Sequence, residues 1–577
     1  MPRTAQNRTS ADSSHRCTLS VAIWDIVPGP TCRYHGLGTT RNPPRGVIIQ
    51  LDPPNHTGLG AQDAREIAGA ALTVPTSGFE REDRLAGLAA VLLFAGLAII
   101  LALPLFSHDS WLIFVQDDLL YYLKVAQNLA HGHGSTFNGI APTNGYQPLW
   151  FLVLTVLSRF TENPRSVLAF LAVSDWIAAL ATFLLARRLL RLSAARPLLL
   201  FALSAAVTLY SVTLFFYGME VTLTVPLLLG TVCLLLQVDW LARSWRHTFA
   251  LGILLAALAL SRIDTLIFGG LVLLGILFTP ALRRLIRPDL VLGALAGLSP
   301  LLGYFVLNHV EFNTFLPISG MAKELKANHH PSLEPWRVFF HPLALGFTLI
   351  FLLALLLLPK VAPRLSPMAR VVFPAIILFP FVYYFILCCV SDWTLWGWYF
   401  YPLRTALCIS FLLFLLYGPI AATLRRPLVT GLLVLLIFAA LGVTRWRRQQ
   451  VDIYDASVEI AHFAATHPGT YAMGDRAGRV AYLMPNPILQ TEGLMMDRPY
   501  LDLIRAKTPL RTVLAKYNVR YYVGTAYDPF TGCFQANEPA KAGPTSAHMR
   551  AQFCEAPEAT FTHNGIETLI FDLQPTH

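Results

Sequence analysis

Residues 116–150, QDDLLYYLKVAQNLAHGHGSTFNGIAPTNGYQPLW, follow the first long apolar run of the chain and begin with two adjacent carboxylates. On a helix that starts at Asp117, polar and apolar side chains fall on separate faces, so the pattern predicts an amphipathic helix at a membrane surface. The segment TNGYQPLW (143–150) then predicts a loop that ends the helix and exposes backbone groups. An acidic pair, a polar helix face and an ordered loop beside a membrane indicate an interfacial site.

The acidic pair Asp117 and Asp118 also has a simpler interpretation. Carboxylates are favoured at a helix N-terminus, where they cap free N–H groups and interact well with the helix dipole. Capping accounts for one carboxylate better than for two in a row. The residues alone therefore leave a structural and a functional role open.

The chain as a whole has the composition of a membrane protein. Of its 577 residues, 55% are hydrophobic and 14% are charged, whereas about 25% of the residues of a soluble protein are charged. The run 148–160 is too short to cross a bilayer and is predicted to be an interfacial helix. About eleven longer runs predict a polytopic α-helical membrane protein. The predicted spans are 85–106, 166–186, 197–216, 219–238, 249–263, 264–280, 289–307, 339–358, 371–390, 400–418 and 427–444.

The distribution of Arg and Lys predicts the orientation of these spans. The net charge of +10 comes mostly from short loops between apolar runs, which is the positive-inside pattern rather than a nucleic-acid-binding surface. With the N-terminus inside, the first outer loop (107–165) and the C-terminal region lie on the same outer face. Arg445, Arg447 and Arg448 oppose this orientation, and the charges of the earlier loops outnumber them.

We predict three parts along the chain. Residues 1–84 are polar and rich in Pro, Gly and Arg, which predicts a disordered extension, and a native start near Arg84 stays open. Residues 85–448 form the transmembrane domain. In residues 449–577 the strand patterns TYAMG, PILQT, VRYYVGT and TLIFDL alternate with the amphipathic helices VEIAHFAATH and YLDLIRAK, which predicts a small extracytoplasmic α/β domain.

Two features of the C-terminal region have chemical interest. Cys533 and Cys554 are candidates for a disulfide if this region lies outside the cytoplasm. The segment GDRAGRVAYL (474–483) has glycines after a strand, but it lacks the GxGxxG spacing, so it is weak support for nucleotide binding. A role in acceptor binding and a purely structural role of the region remain equally open.

The acidic pair, followed by NLAHGHG (128–134) and TNGYQPLW, resembles the GT-C superfamily of integral-membrane glycosyltransferases. The stretch of 116–150 is similar in particular to bacterial multi-spanning members related to the terminal arabinofuranosyltransferases of mycobacterial cell walls. The resemblance implies a hexosyl- or pentosyltransferase of the bacterial inner (plasma) membrane. Its donor would be a polyprenyl-phosphate sugar, its acceptor a glycan or glycolipid of the cell envelope, and the anomeric carbon would be inverted.

This reaction predicts which residue types the site needs. An acceptor hydroxyl that attacks the anomeric carbon needs a carboxylate base, and the oxocarbenium-like transition state favours negative charge nearby. The resemblance assigns this role to Asp117 or Asp118, with Asp117 favoured. The phosphate leaving group needs cations, while a metal is not obligatory and a divalent ion stays open. The cation candidates on the outer face are Lys124, Arg262, Lys323 and Arg404.

Each cation candidate has a structural alternative. Arg262 and Asp264, in SRID, are as well explained by a structural ion pair at the edge of a span. Lys323 is equally well explained as a solvated lysine, and Arg404 as a side chain that reaches to the lipid headgroups.

Polar and aromatic residues complete the predicted site. Asn144, Tyr146 and Gln147 match the TNGY loop of the resemblance and are expected to order the site, although a plain turn explains Asn-Gly equally well. Trp398 and Tyr399 lie in the aromatic-rich segment WGWYFYP. An aromatic belt at the membrane interface is the simpler explanation of this segment, and stacking on a sugar is the functional alternative. The HGHG histidines lack a third metal ligand nearby in the sequence.

Two rival functions remain open at this level. A secondary transporter predicts paired repeats with charged, broken helices at the membrane centre, and the acidic pair lies in a loop instead. A non-catalytic assembly protein for envelope polysaccharide would keep the topology and tolerate the loss of both aspartates.

Overall fold

The computed structural model describes residues 76–574 except for 107–110, 192–196, 241–243, 327–329, 333–348, 350–351, 354, 361, 418–441, 443–450 and 527–531. The described residues belong to one compact unit. Its helices, in chain order, are α1 Thr76–Ala102, α2 Asp117–Ala130, α3 Pro148–Phe160, α4 Pro164–Leu190, α5 Pro197–Phe215, α6 Val221–Gln237, α7 Trp245–Ser261, α8 Leu266–Phe278, α9 Pro288–Gly297, α10 Ser299–Phe312, α11 Ile318–Lys323, α12 Ala369–Val390, α13 Tyr401–Tyr417, α14 Val451–Thr466, α15 Ala477–Leu483, α16 Arg498–Arg505 and α17 Leu510–Lys516.

The helical part of the described chain has the character of a membrane protein. Four helices are long and apolar enough to cross a bilayer, namely Glu80–Phe106, α4, α5 and α12. A fifth span results if α9 and α10, which meet at a bend of 51°, are counted together. Pro300 at the start of α10 lacks an N–H for the helical ladder, which explains a break at this point. The predicted class, a polytopic α-helical protein, is confirmed, whereas the number of eleven spans stays a prediction.

The predicted spans can be compared with the helices where the chain is described. Nine of the predicted runs coincide with α1, α4 to α8, the α9–α10 pair, α12 and α13. The runs 339–358 and 427–444 lie largely outside the described residues. Helix α1 begins at Thr76, before the predicted start of the first span.

Helix α3 has the length expected of an interfacial helix. Its 13 residues correspond to about 20 Å, less than the ~30 Å hydrocarbon core of a bilayer. Pro148 at its first turn is compatible with a helix start, where no N–H is needed. Leu152, Val156 and Phe160, spaced four apart, are exposed on one face.

The C-terminal region contains a five-stranded mixed sheet, which confirms the predicted α/β character. Its strands are β1 Tyr471–Met473, β2 Ile488–Gln490, β3 Tyr521–Ala526, β6 Ala559–His563 and β7 Ile566–Asp572, in the order β2-β1-β3-β7-β6. β1 pairs in parallel with β2 and β3, and β7 pairs antiparallel with β3 and β6. A separate hairpin, β4 Phe534–Glu538 and β5 Met549–Phe553, is bridged by the disulfide Cys533–Cys554. The predicted pairing of these cysteines is confirmed.

The C-terminal region packs directly on the helical part. Buried side chains of α2, such as Leu119 and Leu123, belong to the same hydrophobic cluster as Tyr471 of β1 and Val480 of α15. Asp392, just beyond the end of α12, accepts hydrogen bonds from Gly543 N at 3.2 Å, Thr545 N at 2.9 Å and Thr545 Oγ1 at 2.6 Å, and also from the Ser546 hydroxyl. These bonds hold the pKa of Asp392 below its usual value although burial opposes them. The end of α12, α2 and the C-terminal region therefore meet on one face.

Candidate active site

A cavity of about 140 Å³ lies where α2 meets the C-terminal region. An adjoining cavity of about 40 Å³ lies nearer the membrane helices, and Asp118, Tyr121, Lys323, Trp398 and Leu494 line both. The other residues of the larger cavity are Gln116, Asp117, Trp393, Trp396, Ile453, Asp475, Arg476, Glu492 and Lys541. The smaller cavity also contacts Tyr122, Gly145, Gln147, Met219, Glu220, Arg262, Ser319, Tyr399 and Met495.

Asp117 connects α2 to the C-terminal region. Its carboxylate accepts backbone hydrogen bonds from Gly478 N at 3.1 Å and Arg479 N at 2.7 Å, at the start of α15. Burial raises the pKa of Asp117, although the charge of Arg479 and these two hydrogen bonds oppose the shift. The segment GDRAGRVAYL therefore places the N-terminus of α15 against the Asp117 carboxylate. The anion that this glycine-containing turn binds is thus a side chain of the same protein.

Asp118 and Lys323 form the charged centre of the two cavities. Burial raises the pKa of Asp118 to about 7, and the Lys323 charge opposes this shift while other carboxylates add to it. The Lys323 ammonium donates to the Tyr399 hydroxyl at 2.5 Å and lies 4.9 Å from the centre of that ring. Burial lowers the pKa of Lys323, but the interactions with Tyr399 and Asp118 outweigh the effect of burial, so the Lys323 pKa is raised. Lys323 is thus a partly buried cation inside the site and not a solvated lysine.

Arg262 is held in a buried ion network beside the smaller cavity. Its guanidinium pairs with the carboxylate of Glu220 and, at 2.5 Å, with Asp264 Oδ2. Asp264 Oδ1 also accepts a hydrogen bond from the Tyr401 hydroxyl at 2.5 Å. Such a network offsets part of the cost of burying each charge. The structural ion pair considered for Arg262 and Asp264 is present, and Arg262 also faces the cavity.

The TNGY loop fixes one wall of the site. Asn144 donates from Nδ2 to Thr314 Oγ1 at 3.1 Å and accepts from Ile318 N at 3.0 Å, which ties the loop to the start of α11. Gly145 packs so closely on Leu494 that an added Cβ would lie 2.1 Å from the Leu494 carbonyl oxygen. Asn144 therefore holds the helix that ends in Lys323, and glycine is required at the next position.

Tyr146 and Gln147 continue this wall. Tyr146 stacks on Phe151 at a centroid distance of 3.5 Å and its hydroxyl lies 2.7 Å from Ser135 Oγ. Gln147 lines the smaller cavity and its side-chain oxygen accepts from Ile263 N at 3.3 Å. Tyr146 therefore orders the loop, while Gln147 reaches the cavity.

Two predicted cations and the histidine pair lie elsewhere. Burial lowers the pKa of Lys124, with Glu162 as the opposing charge, and Lys124 is absent from the walls of both cavities. Arg404 bonds to the Thr213 hydroxyl and stacks 5.3 Å from the Tyr210 ring. His131 Nδ1 lies 3.5 Å from Glu162. Within the described ranges, no group of three His, Cys, Asp or Glu side chains has the arrangement of a metal site.

The C-terminal region contributes charged residues that sequence reasoning missed. Asp475 Oδ2 accepts from the Lys541 ammonium at 2.9 Å, and Arg476 at φ 68° lies in the turn before α15. Glu492 is only 3% exposed. Glu220, on the membrane side, was missed as well. Asp475 and Arg476 lie within the segment singled out for its glycines, whereas no local pattern marks Glu220 or Glu492.

Comparison with solved structures finds the chain similar to an oligosaccharyltransferase and to ArnT, among others. The oligosaccharyltransferase of Archaeoglobus fulgidus in the apo form has 10% identity and a TM-score of 0.49, with 75% of this chain and 69% of that chain covered. ArnT from Cupriavidus metallidurans bound to undecaprenyl phosphate has 13% identity and a TM-score of 0.48, with 80% and 98% covered. No protein-family profile and no curated protein matches the chain. The resemblance of residues 116–150 to the GT-C superfamily, and its narrower link to arabinofuranosyltransferases, stay predictions.

Proposed function

We propose that the protein is a membrane glycosyltransferase. It moves a sugar from a polyprenyl-phosphate donor to a glycan or glycolipid acceptor at the extracytoplasmic face of the plasma membrane. The observation that carries this proposal is the joint placement of Asp118 and Lys323 in cavities between the apolar helices and the C-terminal region. A carboxylate and a cation at this boundary meet the two requirements of the reaction, a base and a partner for the leaving phosphate.

Asp118 is the general base in this proposal, in place of the initially favoured Asp117. Its pKa of about 7 lies close to the pH at which a catalytic base is most effective. Asp118 takes the proton of the acceptor hydroxyl while that oxygen bonds to the anomeric carbon. The bond from this carbon to the phosphate oxygen breaks at the same time. Asp117 already accepts two backbone hydrogen bonds, so its role is to position α15 against α2.

Lys323 is the main cation for the leaving phosphate. It lines both cavities, and a charge-assisted hydrogen bond from an ammonium stabilises the oxyanion that develops as the bond breaks. Arg262 faces the smaller cavity but is already paired with Glu220 and Asp264. Its positive charge is thus largely balanced, and it serves chiefly to place Tyr399 and Tyr401, which lie 5.1 and 5.0 Å from its guanidinium carbon.

The proposed location is the plasma membrane, with the C-terminal region outside the cytoplasm. Asp117 and Asp392 join α2 and the end of α12 to the C-terminal region, so these elements share one side of the membrane. A disulfide between Cys533 and Cys554 is typical of an oxidising compartment. This orientation agrees with the Arg and Lys count of the loops.

The test is sugar transfer by membranes that contain equal amounts of wild type, Asp118→Asn or Asp117→Asn, with a panel of radiolabelled polyprenyl-phosphate sugars. We expect Asp118→Asn to lose at least about 100-fold in rate, as typical for removal of a general base. Asp117→Asn retains an oxygen that accepts one of the two N–H groups, so it should keep most of the rate. An active Asp118→Asn variant would refute Asp118 as the base. Absence of transfer from every donor by the wild type would favour a transporter or a non-catalytic assembly protein.

A further inference from the structure

Two buried polar atoms in the wall of the larger cavity have no hydrogen-bond partner among the described residues. They are Nε1 of Trp393, a donor, and Oε1 of Glu492, an acceptor when ionised. Both side chains are 3% exposed. Buried polar groups are nearly always hydrogen-bonded in folded proteins, so an unpaired donor and an unpaired acceptor in one cavity point to a ligand.

The free oxygen of Glu492 is held in a fixed place. The other carboxylate oxygen, Oε2, accepts from Gln490 Nε2 at 3.2 Å. Glu492 lies two residues after strand β2, and the carbonyl of the intervening Thr491 accepts from the buried Tyr500 hydroxyl at 3.2 Å. Burial raises the pKa of Glu492, and the nearby carboxylates Asp475, Glu538 and Asp118 add to this. A carboxyl group of this kind serves as donor or acceptor for a neutral hydroxyl group.

Three tryptophans line the same cavity. Trp396 and Trp398 are stacked with their rings inclined by 10° and their centroids 6.1 Å apart, and Trp393 lines the cavity beside them. Large indole faces with a few fixed polar groups suit a rigid ligand that has an apolar face and a polar edge. A sugar ring has this character, since its C–H groups form an apolar face and its hydroxyl groups both donate and accept.

We propose that Trp393 and Glu492 bind a neutral, polyhydroxylated sugar residue of the acceptor, with one or more sugar hydroxyls between the indole N–H and the carboxyl oxygen. The inference rests on the proposed transferase function and extends it to the acceptor. The donor phosphate is placed at Lys323, whereas the Glu492 carboxyl can both donate to and accept from a neutral hydroxyl group. Lys541 is already paired with Asp475. This end of the cavity therefore suits the neutral acceptor better than the lipid phosphate.

The experiment measures glycan binding by purified full-length protein in lipid nanodiscs. The probe is a microarray of neutral mono- to tetrasaccharides, and the variants are Glu492→Met and Trp393→Phe. We expect the wild type to bind at least one neutral glycan and each variant to bind it at least tenfold more weakly. Glu492→Gln, which keeps an oxygen and a donor at this point, should retain more binding than Glu492→Met.

Glu538→Met is the matched control. Glu538 belongs to the same group of buried carboxylates, but Oε1 accepts from the Tyr522 hydroxyl at 3.0 Å and Oε2 from Ala540 N at 3.3 Å. Its removal leaves a buried hydroxyl unpaired, so we expect Glu538→Met to lower the melting temperature and to keep glycan binding. Glu492→Met also leaves the buried Gln490 Nε2 without its partner, so both variants should melt at a lower temperature, and only Glu492→Met should lose glycan binding.

Equal glycan affinity of the wild type, Glu492→Met and Trp393→Phe would overturn the inference. So would a wild type that binds no neutral glycan. Binding of a glycan that depends on Glu492, together with no sugar transfer from any polyprenyl-phosphate donor, would contradict the transferase proposal and support the sugar subsite. In an active enzyme, Glu492→Met should raise the KM for the acceptor about tenfold and leave the donor KM unchanged.

Discussion

At the scale of single residues, Asp118 determines the expected pH dependence of transfer. A base acts in its deprotonated form, and burial raises the pKa of Asp118 to about 7. Below that pH the carboxyl is protonated, so kcat/KM should fall about tenfold per pH unit below 7 and level off above it. Initial transfer rates between pH 5 and 9 at constant ionic strength measure this profile.

A substitution of Lys323 tests the same pH profile of transfer. Its positive charge favours ionised Asp118 and lowers the Asp118 pKa, so Lys323→Met should move the midpoint to higher pH in addition to slowing transfer. Lys124→Met, at a position outside both cavities, should leave the midpoint in place. A wild-type profile that is flat between pH 5 and 9, or an identical midpoint in Lys323→Met, would contradict the assignment.

At the scale of elements, the contact between α2 and α15 holds the C-terminal region against the helical part beside the larger cavity. A Cβ atom added at Gly478 would lie 2.5 Å from the Asp117 carbonyl oxygen and 3.0 Å from its Oδ2. We therefore expect Gly478→Ala to destabilise the protein by about 1–3 kcal/mol, as is usual for overpacking. The measurement is the melting temperature of the purified protein in detergent.

Gly303 in α10 is the matched glycine. It is helical as well, and an added Cβ would contact nothing within 4 Å. Gly303→Ala should leave the free energy of unfolding unchanged or raise it by up to about 1 kcal/mol, because alanine is the better helix former. If both variants melt at the same temperature, the close approach of α15 to Asp117 is not important for stability.

At the scale of the whole molecule, the Cys533–Cys554 disulfide gives a direct test of orientation. With the C-terminal region outside, a membrane-impermeant maleimide should label these cysteines in intact cells after mild reduction and should label little without it. The Cys533→Ser/Cys554→Ser double variant is the control for other thiols. Labelling that requires permeabilised cells would place the region inside and refute the orientation.

The sequence by itself determined the class of the protein and pointed to the segment of the candidate site. Long apolar runs must lie in a bilayer or a core because their transfer from water is favourable, so the membrane helices could be read from composition and run length. The strand patterns TYAMG, PILQT, VRYYVGT and TLIFDL could be predicted as well, because alternating and apolar runs reflect burial of each strand. The acidic pair could be found because it is adjacent in the chain.

Only the tertiary structure decided which of these residues lie together. The sequence favoured Asp117, but α15, more than 350 residues away, donates two backbone hydrogen bonds to Asp117, whereas Asp118 lines both cavities. Lys124 and Lys323 were equal candidates in the sequence, and packing places Lys323, but not Lys124, in the walls of the cavities. Trp393 and Glu492 share a cavity wall although no local pattern relates them. The physical reason is that hydrogen bonding and burial, which set each role, depend on neighbours distant in the chain.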